Sequence, residues 1–265
     1  MSYKKIIFIL LSVVLGGFPA LSAPQKNFKQ GKANFSKSFQ KRWGNRPIII
    51  RQEYSNPRIS GEFPSSSTVE KCAKRFYKTL DYLPEELITK TRLKYVTFLR
   101  NLKSNGQPAS GVASGDTIFL MVNFPTDTVY HEFFHIFDPH RQDKKWTDLN
   151  EKKFIYTGNV FRKVEMTAKE RRQVKRNKRN DDITKGFVSE YAMSFEREDR
   201  AETFAAMITE GKAFLKRTKN PVMKAKMEYI MELFIEKNLL DRNFWEKHFD
   251  SKFKIKNRFY SSGKN

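Results

Sequence analysis

The run Val129-Tyr130-His131-Glu132-Phe133-Phe134-His135-Ile136-Phe137 sets two of the chain's four histidines four residues apart inside an apolar stretch. On a helix that spacing puts both on one face, with Cβ atoms roughly 5–6 Å apart. Two imidazoles so placed can converge on one metal ion, at about 2.0–2.1 Å per Zn–N bond. Glu132 then projects beside the ion, where a carboxylate can take a proton from water whose pKa the metal has lowered. Phe133, Phe134, Ile136 and Phe137 bury the remainder of the helix. A solvated histidine pair on an amphipathic helix is the competing reading, and the apolar surround argues against it.

A tetrahedral catalytic site needs a third protein ligand and an open position. His140 would need a bend made by glycine three residues after His135 and a further histidine three beyond; Asp138 and Arg141 stand at those places. His248, in the basic, aromatic C-terminal segment, has no partner spacing and reads as a surface or packing residue. The remaining candidate is GFVSEYAMSFEREDRAETFA, residues 186–205, in which Glu198 and Glu202 are four apart on a helix packed through Ala201, Phe204 and Ala205. Such carboxylates can divide the labour: one binds the metal, the other accepts a hydrogen bond from the far ring nitrogen of a ligating histidine. Either glutamate alone would read as a solvated acid paired with Lys or Arg.

His131-Glu132-x-x-His135 followed by a Glu-bearing helix resembles the gluzincin metallopeptidases, the thermolysin-like group. The later segment is similar to the clade of lethal factor and the secreted Pro-Pro endopeptidases, whose Tyr, zinc-binding Glu and following Glu fall on Tyr191, Glu198 and Glu202 without a gap. The run Trp146-Thr147-Asp148-Leu149-Asn150, with Phe154 and Tyr156 after it, is similar to bacterial zinc-binding metallopeptidases. The resemblance covers about residues 117–207. It implies Zn2+ held by His131, His135 and Glu198, with Glu132 as general base and Glu202 supporting the ligand shell. It also implies that Tyr191 donates a hydrogen bond to the oxyanion, which for such a donor contributes about 3 kcal/mol. Two departures stand out: Asp199-Arg200 replaces an aromatic pair, and the stretch between His135 and Glu198 is long for the clade.

The rest of the chain sets the context. Residues 1–23 carry Lys4 and Lys5, an apolar run Ile6–Phe18 and then Ala20-Leu21-Ser22-Ala23, the pattern of a secretory signal peptide. Residues 24–47 form a basic flexible arm, 48–250 the catalytic domain, 163–185 a basic inserted loop or helix, and 251–265 a basic tail. One cysteine among 265 residues excludes a disulfide framework and a Cys-based zinc module, and Cys72 has the helical spacing of a core residue. Strands at Ile48–Tyr54, Lys94–Leu99 and Thr117–Val122 precede a mainly helical half, which indicates one α+β domain with a small mixed sheet and an edge strand over the active-site helix. The Thr117–Val122 strand is the one expected to present an open edge on which an extended peptide pairs. Asp127 is expected to cap the helix that follows, which would start near Thr128.

The expected activity is that of an exported zinc-dependent endopeptidase acting on protein or peptide, secreted or periplasmic, with no membrane span once the signal is removed. A net charge of +22 suggests an alternative, a basic exported binding protein for anionic cell-surface polymer or nucleic acid with a vestigial metal site. No aromatic-interleaved motif for specific base readout accompanies that charge. A deformylase-like amidase would need a Cys ligand in a glycine-flanked loop, which Lys71-Cys72-Ala73 does not provide.

Overall fold

A computed structural model describes residues 48–138, 143–152, 154–158, 167–179 and 184–250. The expected export signal and basic arm, His140 and the tail after Asp250 lie outside these residues, as do 159–166 and 180–183 of the long connection before Glu198.

The sheet is built from β1 (Ile49–Ile50), β2 (Ile59–Glu62), β3 (Tyr95–Ser104), β4 (Gln107–Pro108), β5 (Gly111–Ser114) and β6 (Thr117–Met121). Its order is β1-β3-β6-β5, with β3 parallel to β1 and β6, and β5 antiparallel to β6 at the end of the order. A strand held in the middle of a sheet covered on both faces reads as an unbroken apolar run, and Val96, Phe98 and Leu99 are all buried. Val96, Phe98, Ile118 and Leu120 join the main core beneath the helices. Leu99, Phe119 and Val112 join a smaller cluster with Ile59 and Leu102. Beyond Leu99 the strand changes partners and pairs antiparallel with β2 and β4. The register jumps there from Ser60↔Lys103 to Glu62↔Arg100, so β3 carries one extra residue. Asn101, at φ 51°, is a residue type that tolerates the left-handed conformation in such a bulge.

The free edge differs from expectation. Thr117–Met121 lies between β3 and β5, and among the described residues the unpaired side belongs to β5. Gly115, at φ 63°, makes the tight turn that folds β5 back onto β6. Gly111-Val112-Ala113-Ser114 is short and small, with no alternation from which to recognise a strand.

The helices are α1 (Ser66–Leu80), α2 (Glu85–Lys90), α3 (Thr126–Phe137), α4 (Lys144–Thr147), α5 (Ala168–Arg179), α6 (Glu196–Glu210), α7 (Pro221–Glu236) and α8 (Arg242–Phe249), with a 3-10 segment at Gly211–Lys219. Cys72 is buried on α1, its thiol against the Val122 carbonyl at 3.4 Å. Helix α3 starts two residues earlier than expected, after Pro125, whose fixed φ suits a helix entry. Asp127 therefore lies inside the first turn, where its carboxylate accepts the Thr128 N–H at 2.8 Å instead of forming the cap. Asn220 does cap α7, accepting from the N–H groups of Val222 and Met223 at 2.9 and 3.1 Å, an arrangement typically worth about 1 kcal/mol.

The Met223, Met227, Ile230, Met231 and Phe234 stripe of α7 is buried. Phe204 of α6 packs between Phe134 of α3 and Phe234 of α7, with ring centroids 5.1 Å away on both sides. Burying each such ring stabilises the fold by roughly 1.5–3 kcal/mol. This aromatic wedge fixes α6 against α3. Within the expected basic insertion, Ala168–Arg179 is helical, and Ala168 and Val174 are its two apolar residues. Among the described residues, no helix is long and apolar enough to cross a membrane.

Candidate metal centre

The wedge sets α3 and α6 so that three electron-pair donors meet. His131 Nε2 and His135 Nε2 are 3.0 Å apart, and Glu198 Oε2 is 3.1 Å from each. The four-residue spacing on α3 brings the two rings to 4.7 Å between centroids, nearly perpendicular. His131 and Glu198 are buried, and the His135 side chain is only 7% exposed. Neutral imidazoles cannot satisfy all three contacts at once, because a ring that carries its proton on Nδ1 turns a bare lone pair at Nε2 toward the carboxylate, and an added positive charge relieves that mismatch.

Protonation alone meets that need only in part. Burial opposes a charge on His131, but the carboxylates of Glu198 and Glu202 outweigh it and hold the ring well above its ordinary pKa. Burial pulls His135 down to about 4. For Glu198, burial is outweighed by His135, His131 and Arg197, which hold the carboxyl well below the usual range. Two imidazoles and one carboxylate form the donor set that a borderline divalent ion such as Zn2+ takes, the ion supplying the positive charge that a proton supplies otherwise. The residues fit the metal.

The neighbouring residues fall into place around that triangle. Glu202, one turn beyond Glu198 on α6, lies with Oε1 3.0 Å from His131 Nδ1, while its Oε2 accepts from the Ser189 hydroxyl at 2.8 Å. Arg197 donates to the outer oxygen of Glu198 at 3.1 Å. Glu132 is buried beside the histidines, and that burial lifts its carboxyl to about 7; Glu198 adds to the effect, while His131 and Arg197 oppose it. The Ala113 N–H of the edge strand donates to Glu132. Gly111 lies directly above: a Cβ there would come within 2.7 Å of Glu132 Cγ and 2.6 Å of Thr128 Cγ2. Tyr191 has its ring centroid 6.1 Å from that of His131.

Every proposed site residue is thus near the triangle, and His248 is remote from it. His248 stacks on Phe244, accepts from the Tyr82 hydroxyl and donates to the Met207 carbonyl at 2.7 Å, so it packs the C-terminal helix.

Both residues that replace the aromatic pair of the resembled pattern have partners. Arg200, almost fully buried, donates from Nε to Asp138 at 2.6 Å and from Nη1 to Glu196, which ties the end of α3 to the start of α6. Asp138, the residue found where a three-histidine site would need glycine, is therefore a strut. Asp199 Oδ2 accepts from Trp146 Nε1 at 3.0 Å and the Tyr156 hydroxyl at 2.7 Å, and pairs with Lys226 Nζ at 2.7 Å. Burial nevertheless leaves the Asp199 carboxyl above its ordinary range and the Lys226 amine below its own.

Ser189, Arg197, Ala113 and Lys226 escape the sequence reading. Only Lys226 leaves a signal, a lysine set at helical spacing between Met223 and Ile230 in an otherwise apolar stripe.

The model of a family described as "Putative zinc-binding metallo-peptidase" matches residues 102–256. That range takes in β5, β6, α3 and α6, and so all of the site. No curated protein matches the chain. Among solved structures, one described as a putative zinc-binding metallo-peptidase from Bacteroides caccae ATCC 43185 is similar over 80% of this chain and 90% of that one. The identity is 17% and the TM-score 0.50, a likeness of fold. With more than half of its length matched, and two histidines and a glutamate converging inside the matched region, the chain belongs to this family of putative zinc-binding metallo-peptidases.

Proposed function

We propose that the protein is an exported zinc-dependent endopeptidase of the gluzincin type, allied to the lethal-factor and Pro-Pro endopeptidase clade. The observation that carries this reading is the convergence of His131, His135 and Glu198 at 3.0–3.1 Å, with an unexposed carboxylate, Glu132, alongside. His131, His135 and Glu198 would hold the zinc, which when bound would acidify water and polarise the scissile carbonyl. Glu132 takes the proton of the attacking water and passes it to the leaving amine. The Ala113 N–H of the edge strand helps hold the Glu132 carboxylate in place. Tyr191 donates its hydroxyl hydrogen to the oxyanion. Glu202 holds the His131 ring through Nδ1, and Ser189 holds Glu202.

A peptide would pair along the edge of β5 that is open among the described residues, where the strand begins at Gly111 over Glu132. The positive n-region, apolar run and small residues at the N-terminus support export. The basic helix α5 supports a non-specific attraction to anionic surfaces alongside the peptidase activity.

The test is Glu132→Gln. Purified protein should hold about one zinc per chain with or without the substitution, while hydrolysis of a denatured protein substrate falls about 10²–10⁴-fold in the variant. Undiminished hydrolysis would overturn the mechanism, and a wild-type protein without zinc would overturn the site.

A further inference from the structure

Lys226 is fully buried in the middle of α7 and is remote from the reacting groups. Its ammonium faces three things at once. It pairs with Asp199 Oδ2 at 2.7 Å, donates to the Gly186 carbonyl at 2.9 Å and lies 3.5 Å from the centroid of the Phe187 ring. Gly186 and Phe187 open the segment that runs through Ser189 and Tyr191 to the start of α6. The other end of the same segment is held by the same aspartate. Tyr156, donating to Asp199, anchors the strand-like stretch whose Thr157 and Gly158 N–H groups donate to the Met193 and Ser194 carbonyls at 2.9 and 2.8 Å. Phe154 closes the arrangement against Phe187 at 4.5 Å between centroids.

Between its ends the segment is also tied by Ser189, whose hydroxyl donates to Glu202 at 2.8 Å, and by Val188, which packs against the main core. Phe187, Ala192 and Met193 form a small cluster separate from the main core, with Phe154 and Tyr156 packed against it. At both ends of the segment the attachment runs through one polar clamp centred on Asp199. We infer that Lys226 and Asp199 are positioning residues: their ion pair, reaching Gly186 on one side and Tyr156 on the other, holds Tyr191 beside His131 and Ser189 on Glu202. The inference rests on the peptidase reading for the role of Tyr191, but not for the clamp itself.

A buried lysine is the residue type that this task needs. One ammonium can serve a carboxylate, a carbonyl and an aromatic face simultaneously, because it carries three donors and a compact charge. A methionine in its place would fill the same space in the α7 stripe and leave the Gly186 carbonyl without its donor.

The test uses the full chain with the charge-neutral pair Asp199→Asn and Lys226→Met, in which the amide oxygen introduced at position 199 can still accept from Trp146 and Tyr156. Hydrogen exchange, read without substrate, should accelerate at least about tenfold at the amides of Thr157, Gly158, Ala192, Met193 and Ser194, with α3 and α6 unchanged. Zinc content should be retained. In kinetics, kcat should fall with little change in KM, and Tyr191→Phe should cost much less in the paired variant than in the wild type. Lys226→Arg, which keeps a cation and its donors, should restore part of the exchange protection.

Unchanged protection of the segment overturns the clamp. So does faster exchange spread over α3 and α6, or loss of the fold altogether, because the pair would then support the whole domain. A full Tyr191→Phe penalty in the paired variant overturns the link to Tyr191. If Glu132→Gln remains active while the exchange pattern appears as described, the peptidase reading fails and the clamp stands.

Discussion

Glu198 and Asp199 are consecutive on α6, both fully buried, and they solve the same electrostatic problem in opposite ways. Asp199 is closed by the protein itself: an ammonium, an indole N–H and a phenol converge on one oxygen. Glu198 is offered an arginine on its outer oxygen, while its inner oxygen faces two imidazole nitrogens. A carboxylate ringed by donors is finished, whereas one ringed by lone pairs recruits a cation from solution. Successive residues of a helix point about 100° apart, and that rotation separates the two environments. One faces the α7 stripe and the other the α3 histidines.

The sharpest way to break the comparison is to remove the internal cation alone. Lys226→Met leaves Asp199 buried and unpaired, and should destabilise the fold by about 3–5 kcal/mol. That is a fall in Tm on the order of 10 °C, visible by calorimetry. A negligible change would mean that the indole and phenol suffice. Chelation should act on the other half. With free zinc at about 100 times its dissociation constant, bound metal stabilises the native state by about 2.7 kcal/mol. Removing it should lower Tm in the wild type and leave Glu198→Gln unmoved. A smaller step sharpens the role of the outer shell. Glu202→Gln should weaken zinc binding by about 10–100-fold without changing the fold, measured by competition with a metallochromic dye.

The smallest effect lies in the acid limb of the zinc-free protein. Glu198 is held below the ordinary carboxylate range, so its contribution is present above that range and lost as pH falls through its folded value. Asp199 is held above that range, so its contribution is complete below pH about 3.9 and lost as pH rises through its folded value. The two slopes oppose each other in the wild type. Neutralising Asp199 together with Lys226 should therefore steepen the acid loss of stability, and Glu198→Gln should flatten it, as read from urea midpoints between pH 6 and 3.

How far the site was legible follows from where its information is stored. His131, Glu132, His135, Glu198 and Glu202 could be named because each is fixed by spacing within its own helix, and a helix converts spacing into direction. Tyr191 was reached only through resemblance, since its segment has no period. Ser189 and Lys226 act through contacts 13 and 40 residues away in sequence, which no local pattern encodes. The mixed sheet and helical second half were legible from apolar runs and caps, as Asn220 before Pro221 shows. The edge was not, because an edge is a relation between strands. Four small residues at 111–114 look like a loop until Gly115 folds them back. The strut role of Asp138 was hidden likewise: from sequence it was a missing glycine, and only Arg200, 62 residues on, makes it a partner.

Gly111 carries one further implication. Because it has no side chain of its own, the backbone of β5 lies directly against the Glu132 and Thr128 side chains of α3. On the proposed reading, a peptide laid along β5 would meet Glu132 at a height already set by Gly111, so that only its position along the strand would remain to be chosen.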